Sequence, residues 1–495
     1  MYQVKKLDNI KKDMITPQTL KGFRDFLPKQ AKKRQYVIDI LRKTFESFGF
    51  DPLETPALEY EEVLLGKYGD EGDKLMYRFE DNGKRKVALR YDQTVPLARV
   101  VAQYQNELPF PFKRYQIQPV WRAENTQKGR FREFMQCDID IIGSKNLLTD
   151  GEIISCALSV IKKLGFKKYK MMINEKTTID ERFKMQNIPE GQTKFIATEM
   201  DKKDKKPEEE IFKSIYSISG SITMSSTASG TITSINDLNN PENKRKIQNW
   251  LNNYQPDSYQ LNNFIPKPKP SINEINEEFE KAKTDDNIIK YFELMENPPS
   301  YQKIQNILQK LDVGEDEISY NPNLVRGLSY YTGYIFELQL TDYQGGSVGG
   351  GGRYDNLVGQ FTGQKIPAVG FAFGFDRLIE AMEELNLFPQ NLNYSSARIL
   401  VSIFNTELFY KSIELLNQLR NNNINAEIYD DPDQKLDKQL KYADKKGIPF
   451  VAIIGPDEVK NNMVTLKNLK EKKQETVPLD ELVKLLRLAL SGVEG

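Results

Sequence analysis

Residues 114–142 read RYQIQPVWRAENTQKGRFREFMQCDIDII, and their alternation sets the fold. Arg114, Gln116, Gln118, Arg122 and Glu124 share one parity; Tyr115, Ile117, Trp121 and Ala123 share the other. After a polar turn at 125–129 the alternation resumes, with Arg130, Arg132, Phe134, Gln136, Asp138 and Asp140 on one side. Phe131, Met135, Cys137, Ile139 and Ile141 fall on the opposite side. Period two marks extended strands, so the stretch predicts an antiparallel hairpin with both polar sets on one face. That face is either a solvated sheet surface or a site for an aromatic, polyanionic ligand. Phe134 among the charges favours the second reading, since arginine forks match phosphate and a ring can stack on a base.

The surrounding chain is long enough for several domains. It has 495 residues, 39% hydrophobic and 28% charged, which supports a sizeable core. Seventy basic side chains balance seventy acidic ones, which argues against coating nucleic acid by bulk charge. Apolar runs such as 399–404 and 450–454 are strand-sized, so no membrane span is expected. The first twenty residues lack an apolar signal core and carry Asp8 and Asp13 without arginine, which points to a cytoplasmic protein. Cys137 and Cys156 read as buried small residues of a reducing compartment, and no metal site is expected. Histidine is absent altogether, where ordinary usage gives roughly ten. Ser-His-Asp triads, histidine bases and histidine-ligated metals are therefore excluded. Chemistry must run on arginine, lysine, carboxylates, tyrosine, glutamine and the backbone, an inventory suited to nucleotidyl transfer.

Patterning divides the chain. Residues 30–48 carry apolar side chains at helical spacing (Val37, Ile38, Leu41, Phe45), and 87–180 alternate strands, turns and helices. A charged, then Ser/Thr/Gly-rich, then Asn-rich stretch makes 181–318 an inserted domain between the two parts of a core, 1–180 and 319–387. Residues 388–396 read as a linker, and 397–495 as a small α/β domain with strands at 398–404 and 450–454 and helices at 408–421 and 436–446.

Three further stretches stand out. LVRGLSYYTGYIFE (324–337) feeds a turn into a tyrosine-rich strand. GGSVGGGGRYD (345–355) reads as a glycine-rich loop able to approach a ligand, without the ending of a Walker phosphate loop. AVGFAFGFDRL (368–378) is an apolar strand that turns into a helix where Arg377 appears.

Together these blocks resemble the class II aminoacyl-tRNA synthetases, and most closely the histidyl-tRNA synthetase family. Residues 48–59 with Pro56 resemble motif one; Trp121–Glu124, the loop, Arg130 and Phe134 resemble motif two; Gly370–Arg377 resembles motif three. The 324–331 and 351–355 segments resemble those peculiar to the histidine enzyme, and QLKY (439–442) with GIPFVAIIG (447–455) resembles its anticodon-binding domain. The implied fold is α/β (α+β): a catalytic core on an antiparallel sheet flanked by helices, an inserted domain, and a C-terminal α/β anticodon-binding domain.

The resemblance also implies roles. Arg122 holds the ATP α-phosphate, Phe134 stacks on adenine with Arg377 on its other face, and Glu124 and Arg130 hold the rest of the nucleotide. Asp92 and Thr94 bind the α-ammonium of histidine, Gln136 contacts its carboxylate side, and Asp140 and Tyr331, beside Tyr330, read the imidazole. Arg326 stabilises the charge that develops as carboxylate attacks phosphorus. ATP and Mg²⁺ (bound mainly through the phosphates) are the implied cofactors, and histidine, tRNA(His) and a second copy of the chain the implied partners. Met135 and Ser329 depart from the family pattern, where an aromatic or histidine and an aspartate are usual. The alternative reading is a catalytically silent paralogue acting as a regulatory or tRNA-sensing subunit.

Under the first reading, a histidine-free chain that charges histidine is insulated from its own product: it can be translated when charged tRNA(His) runs out. Unrelated proteins of the same source should then carry histidine at ordinary frequency. A proteome-wide count showing general scarcity would contradict the idea.

Overall fold

A computed structural model describes residues 16–126, 130–185, 298–322, 324, 330–389, 392 and 395–491. The chain forms two compact units, 1–24 with 38–387 and 25–37 with 388–495.

Among the described residues the first unit has eleven strands. They are β1 (Asp51–Pro52), β2 (Leu58–Tyr60), β3 (Arg78–Glu80), β4 (Lys86–Leu89), β5 (Phe112–Trp121) and β6 (Glu133–Ile142). After these come β7 (Tyr169–Glu175), β8 (Ile318–Tyr320), β9 (Tyr334–Leu340), β10 (Gly349–Arg353) and β11 (Ala368–Gly374). Eight of them form one sheet, in the order β1-β5-β6-β11-β10-β9-β7-β8, antiparallel except for its two edge pairs; β2, β4 and β3 form a smaller antiparallel sheet. The mixed α/β class and the antiparallel hairpin expected from 114–142 are both present. β5 and β6 pair along their full length, with Arg114 opposite Asp140, Gln116 opposite Asp138 and Gln118 opposite Gln136.

The predicted helix at 30–48 is found at Pro28–Ser47, and Phe45 packs against Tyr115 and Phe373, with ring centroids 5.7 and 6.1 Å away. Helix Leu147–Lys163 buries Ile153, Ile154, Ala157, Leu158 and Ile161. Asn146 caps it by accepting the Leu148 N–H, and Lys162 and Lys163 in its last turn suit the helix dipole. Most of the stretch read as an inserted domain lies outside the described residues. At its described ends, helix Pro299–Lys310 packs on helix Leu147–Lys163, and β8 pairs with β7 at the sheet edge.

The glycine run at 349–352 corrects the sequence reading. It is the interior strand β10, buried between β9 and β11, and not a loop. A Cβ on Gly351 would sit 2.0 Å from the Gly370 carbonyl oxygen, so neighbouring backbone, with no ligand involved, demands the missing side chain. Gly370 on β11 lies opposite Asp140, and a Cβ there would sit 1.9 Å from Asp140 Oδ1. Gly370 thus clears room for a buried carboxylate.

In the second unit the sheet runs β13 (Ala426–Ile428), β12 (Ile399–Val401), β14 (Phe450–Ile453), β15 (Met463–Asn468) and β16 (Lys473–Pro478). The β13-β12-β14 pairings are parallel and the rest antiparallel. Helices Phe409–Asn421 and Leu436–Lys446 fall where periodicity places them. Gln439 shows why a polar residue stands on a buried helix face: its amide donates to Ile403 O (2.7 Å) and Gln434 O (2.8 Å) and accepts the Ile403 N–H (2.9 Å). It closes the end of β12.

Gly370→Ala should destabilise the first unit by about 1–3 kcal/mol through overpacking. Gly374→Ala, whose Cβ would meet nothing nearer than 3.5 Å, should not. Denaturant midpoints compare the two, and equal midpoints would contradict the account.

Candidate active site

The polar face of β5 and β6 is a buried layer. Arg114 has no solvent exposure, and Gln116, Asp138 and Asp140 have 1–3%. The solvated-surface alternative is thereby excluded.

Arg114 Nη2 lies 2.7 Å from Asp140 Oδ2, a cross-strand ion pair set by the hairpin register. Its Nη1 donates to Gln116 Oε1 at 3.2 Å. Gln116 Nε2 continues the chain to Thr55 Oγ1 (2.8 Å) and Gln118 Oε1 (2.6 Å). Gln118 Oε1 also accepts from Arg90 Nη1 at 2.7 Å, and Arg90 Nε donates to Pro119 O at 2.8 Å. On the other side, the Tyr354 hydroxyl hydrogen-bonds Asp140 Oδ1. Tyr354 follows Arg353, whose guanidinium is locked by an ion pair to buried Asp150 and by bonds to Ser144 O (2.9 Å) and Thr149 Oγ1 (3.1 Å). Asp140 is therefore held from both flanks by groups that are themselves held.

The segment 90–94 enters from above the hairpin. Gln93 Nε2 donates to Gln118 O (2.8 Å) and Gln136 O (3.3 Å), pinning the segment at the level of residue 136. Asp92 Oδ1 accepts the Tyr68 hydroxyl (2.8 Å) and the Val95 N–H (3.1 Å) in the first turn of helix Thr94–Gln103. Thr94 hydrogen-bonds Tyr330, whose ring lies 5.1 Å from that of Tyr331 and 5.9 Å from that of Tyr354.

At the outer end, the Arg122 guanidinium lies between two rings, 4.4 Å from the Tyr91 centroid and 5.1 Å from that of Phe134. Its Nε donates to Tyr91 O at 3.1 Å. Arg130 and Glu124 face each other at 3.8 Å. Arg377 lies in the first turn of helix Phe375–Glu384, three residues beyond Gly374, which pairs with Gln136, and donates to Ser347 O at 2.6 Å. Arg326 and Ser329 lie outside the described residues.

The structure thus brings together Asp92, Thr94, Arg122, Phe134, Gln136, Asp140, Tyr330 and Tyr331, with Glu124 and Arg130 at the hairpin mouth. Sequence reading gave no role to Arg114, Gln93, Tyr68, Tyr354 or Asp138. Arg114 and Asp138 were visible by parity; Tyr68 and Tyr354 reach the site only by tertiary packing. Cys137 and Cys156 are buried, as expected, and form no disulfide; burial raises the Cys156 thiol.

Three carboxyls in the layer, Asp92, Asp138 and Asp140, hold protons more tightly than in water. Burial is the main cause for each; for Asp92 the Tyr68 and Val95 bonds oppose it, and for Asp140 Arg114 and Tyr354 do. Asp138 is pushed well above the ordinary range, with Arg114 pulling back and the charges of Asp140 and Asp92 pushing further.

The model of the histidyl-tRNA synthetase family matches residues 22–255 and 243–378, and that of the anticodon binding domain matches 398–488. The chain is 36% identical to the histidine–tRNA ligase of Cytophaga hutchinsonii, covering 95% of this chain and 99% of the relative. It is 35% identical to that of Clostridium tetani, with 97% and 100% covered. Among solved structures, the histidyl-tRNA synthetase of Nostoc sp. PCC 7120 superposes with a TM-score of 0.73 at 29% identity, over 96% of this chain and all of that one. The apo enzyme of S. aureus, at 22% identity and a TM-score of 0.63, shares the fold.

A group whose pKa is higher folded than unfolded binds more protons in the folded state, so its contribution to stability falls as pH rises. Asp138→Asn removes that dependence. The variant's stability advantage over the parent should therefore be small near pH 4 and grow towards pH 8. Denaturant midpoints across that range test it, and an advantage that shrinks with pH would contradict it.

Proposed function

The chain belongs to the histidyl-tRNA synthetase family and catalyses histidine–tRNA ligation with ATP, and from that premise we propose how its residues divide the work. The observation that carries the proposal is the buried polar layer, open at one end to the Arg122–Phe134 stack and at the other to carboxylates.

Asp92, Thr94 and Gln136 hold the amino-acid end of histidine. The Asp92 carboxyl is aimed by Tyr68 and the helix turn, and Gln136 Oε1 is buried without a hydrogen-bond partner, ready to accept one from substrate. Asp140 and Tyr331, beside Tyr330, form the imidazole end. A carboxylate fixed by Arg114 and Tyr354 cannot collapse onto a smaller amino acid. An apolar side chain bound there would leave buried polar groups unpaired, and this gives discrimination that shape alone cannot.

At the other end Phe134 and Arg377 bracket adenine, Arg122 takes the α-phosphate, and Glu124 and Arg130 hold the rest of the nucleotide. Mg²⁺ would be carried mainly by the ATP phosphates and would screen their charge. Glu124, an oxygen donor only loosely paired at 3.8 Å, fits that setting.

The first step needs no base. A histidine carboxylate oxygen attacks the α-phosphorus, the bond to the bridging oxygen breaks, and pyrophosphate leaves with its electron pair. Arg122 and Arg326 neutralise the charge that builds on the α-phosphoryl oxygens. In the second step the terminal ribose hydroxyl of tRNA(His) attacks the acyl carbon and AMP leaves. A chain without histidine loses nothing, because positioning and electrostatics supply the rate. Anticodon reading by residues 397–495, a homodimer and a cytoplasmic setting complete the proposal. Among the described residues no helix is long and apolar enough to cross a membrane.

ATP–pyrophosphate exchange with each amino acid in turn should respond to histidine alone. Phe134→Ala should raise KM for ATP roughly ten-fold through lost stacking, with KM for histidine little changed. Exchange with no amino acid by folded protein would overturn the assignment.

A further inference from the structure

Residues 20–24 run past the mouth of the β5–β6 hairpin and are bound to it at several points. They form a turn closed by the Phe23 N–H on Leu20 O at 2.9 Å. Gly22 O accepts the Arg132 N–H at 2.9 Å, and Lys21 O accepts from Arg132 Nη1 at 3.4 Å. Arg132 Nε in turn donates to Glu124 O at 3.1 Å, so one side chain ties the turn to both arms of the mouth. Gly22 has φ +90°, and a Cβ there would sit 2.7 Å from Arg132 Cγ and 2.9 Å from Thr126 Cγ2. The turn lies so close to the hairpin that a side chain at this point would collide with it.

Arg24 reaches further. Its guanidinium covers the Phe131 ring, 3.2 Å from the centroid, and its Nη2 pairs with Asp376 Oδ1 at 3.0 Å. The Asp376 side chain is 10% exposed and that of Arg24 27%, so the pair is largely shielded from water. Phe131 stands three residues before Phe134, and Asp376 directly before Arg377. Arg24 thus touches a chain neighbour of each of the two side chains that bracket adenine.

That bridge falls where the sheet sets no distance. The β6–β11 ladder ends with Gln136 opposite Gly374. Phe134 and Arg377 lie beyond that pair, one on a strand and the other in the first turn of helix Phe375–Glu384, and no register fixes their separation. A guanidinium can meet a ring by its face and a carboxylate by its edge at once, which suits it to hold such a gap.

We propose that Arg24 is a positioning residue for the nucleotide: it fixes the distance between the strand of Phe134 and the helix of Arg377, and so the width of the slot that takes the base. The proposal rests on the adenine site described above and gives that site a support from residues 20–24.

The test is ATP–pyrophosphate exchange, with denaturant midpoints, for Arg24→Ala, Arg24→Lys, Asp376→Asn and Phe134→Ala. Arg24→Ala should raise KM for ATP roughly three- to thirty-fold and leave KM for histidine within about two-fold. Arg24→Lys keeps the charge beside Asp376 but loses the flat face on Phe131, and should recover part of the loss. Asp376→Asn, nearly unchanged in volume, should also raise KM for ATP, and it reads the same contact if Arg24→Ala does not fold. A merely structural role would lower the midpoints and move both KM values together, with no recovery in Arg24→Lys, which overturns the proposal. A raised KM for ATP in Phe134→Ala but in no variant of Arg24 or Asp376 overturns the Arg24 assignment alone. An unchanged KM for ATP in Phe134→Ala overturns the adenine site itself.

Discussion

Arg114 is a guanidinium without contact to solvent, and its ion pair with Asp140 across the β5–β6 hairpin constrains much of the first unit. Removing either partner strands the other charge in a low-dielectric layer, a loss of about 3–5 kcal/mol. Holding both requires the rest. Gln116, Gln118 and Arg90 carry the hydrogen-bond chain outward to Thr55 and the segment before β2. Tyr354, braced by Arg353 and Asp150, satisfies Asp140 from the far side. Gly370 vacates the space the carboxylate occupies. Each is a polar or glycine residue placed inside a core, where its apolar counterpart would pack more cheaply. Such expense is expected at a site that must present fixed charge to a small polar substrate.

The same layer explains how one hairpin serves both substrates. Its inner residues face carboxylates and glutamines, a setting for ammonium and imidazole. Its outer residues present Arg122 and Phe134, a setting for phosphate and base. The reacting carboxylate and α-phosphorus would meet where the settings join, close to Gln136 and Arg122. Reaction by proximity needs this continuity: two ligands share one rigid strand pair, and their separation is set by register.

Much of this was legible in residues 114–142. Strict alternation gave the hairpin, its polar face and the residues on it, because period-two patterning and register are local properties of strands. Helices 409–421 and 436–446 were legible for the corresponding reason at helical period. The glycine run misled because composition alone does not distinguish a loop from a strand crowded on both sides; Gly351 is explained only by the Gly370 carbonyl, nineteen positions away in sequence. Burial of the polar face was also invisible, since alternation marks two faces without saying which one water reaches. Tyr68 and Tyr354 enter the site from β2-side and β10-side segments by packing that no local pattern encodes.

The most direct measurement is a crystal structure of the protein with histidine and a non-hydrolysable ATP analogue. The account predicts the α-ammonium within hydrogen-bond distance of Asp92 and Thr94, the imidazole directed down β6 towards Asp140 and Tyr331, and adenine against Phe134. An imidazole turned outward towards Arg122, with no ring nitrogen near Asp140 or Tyr331, would contradict it.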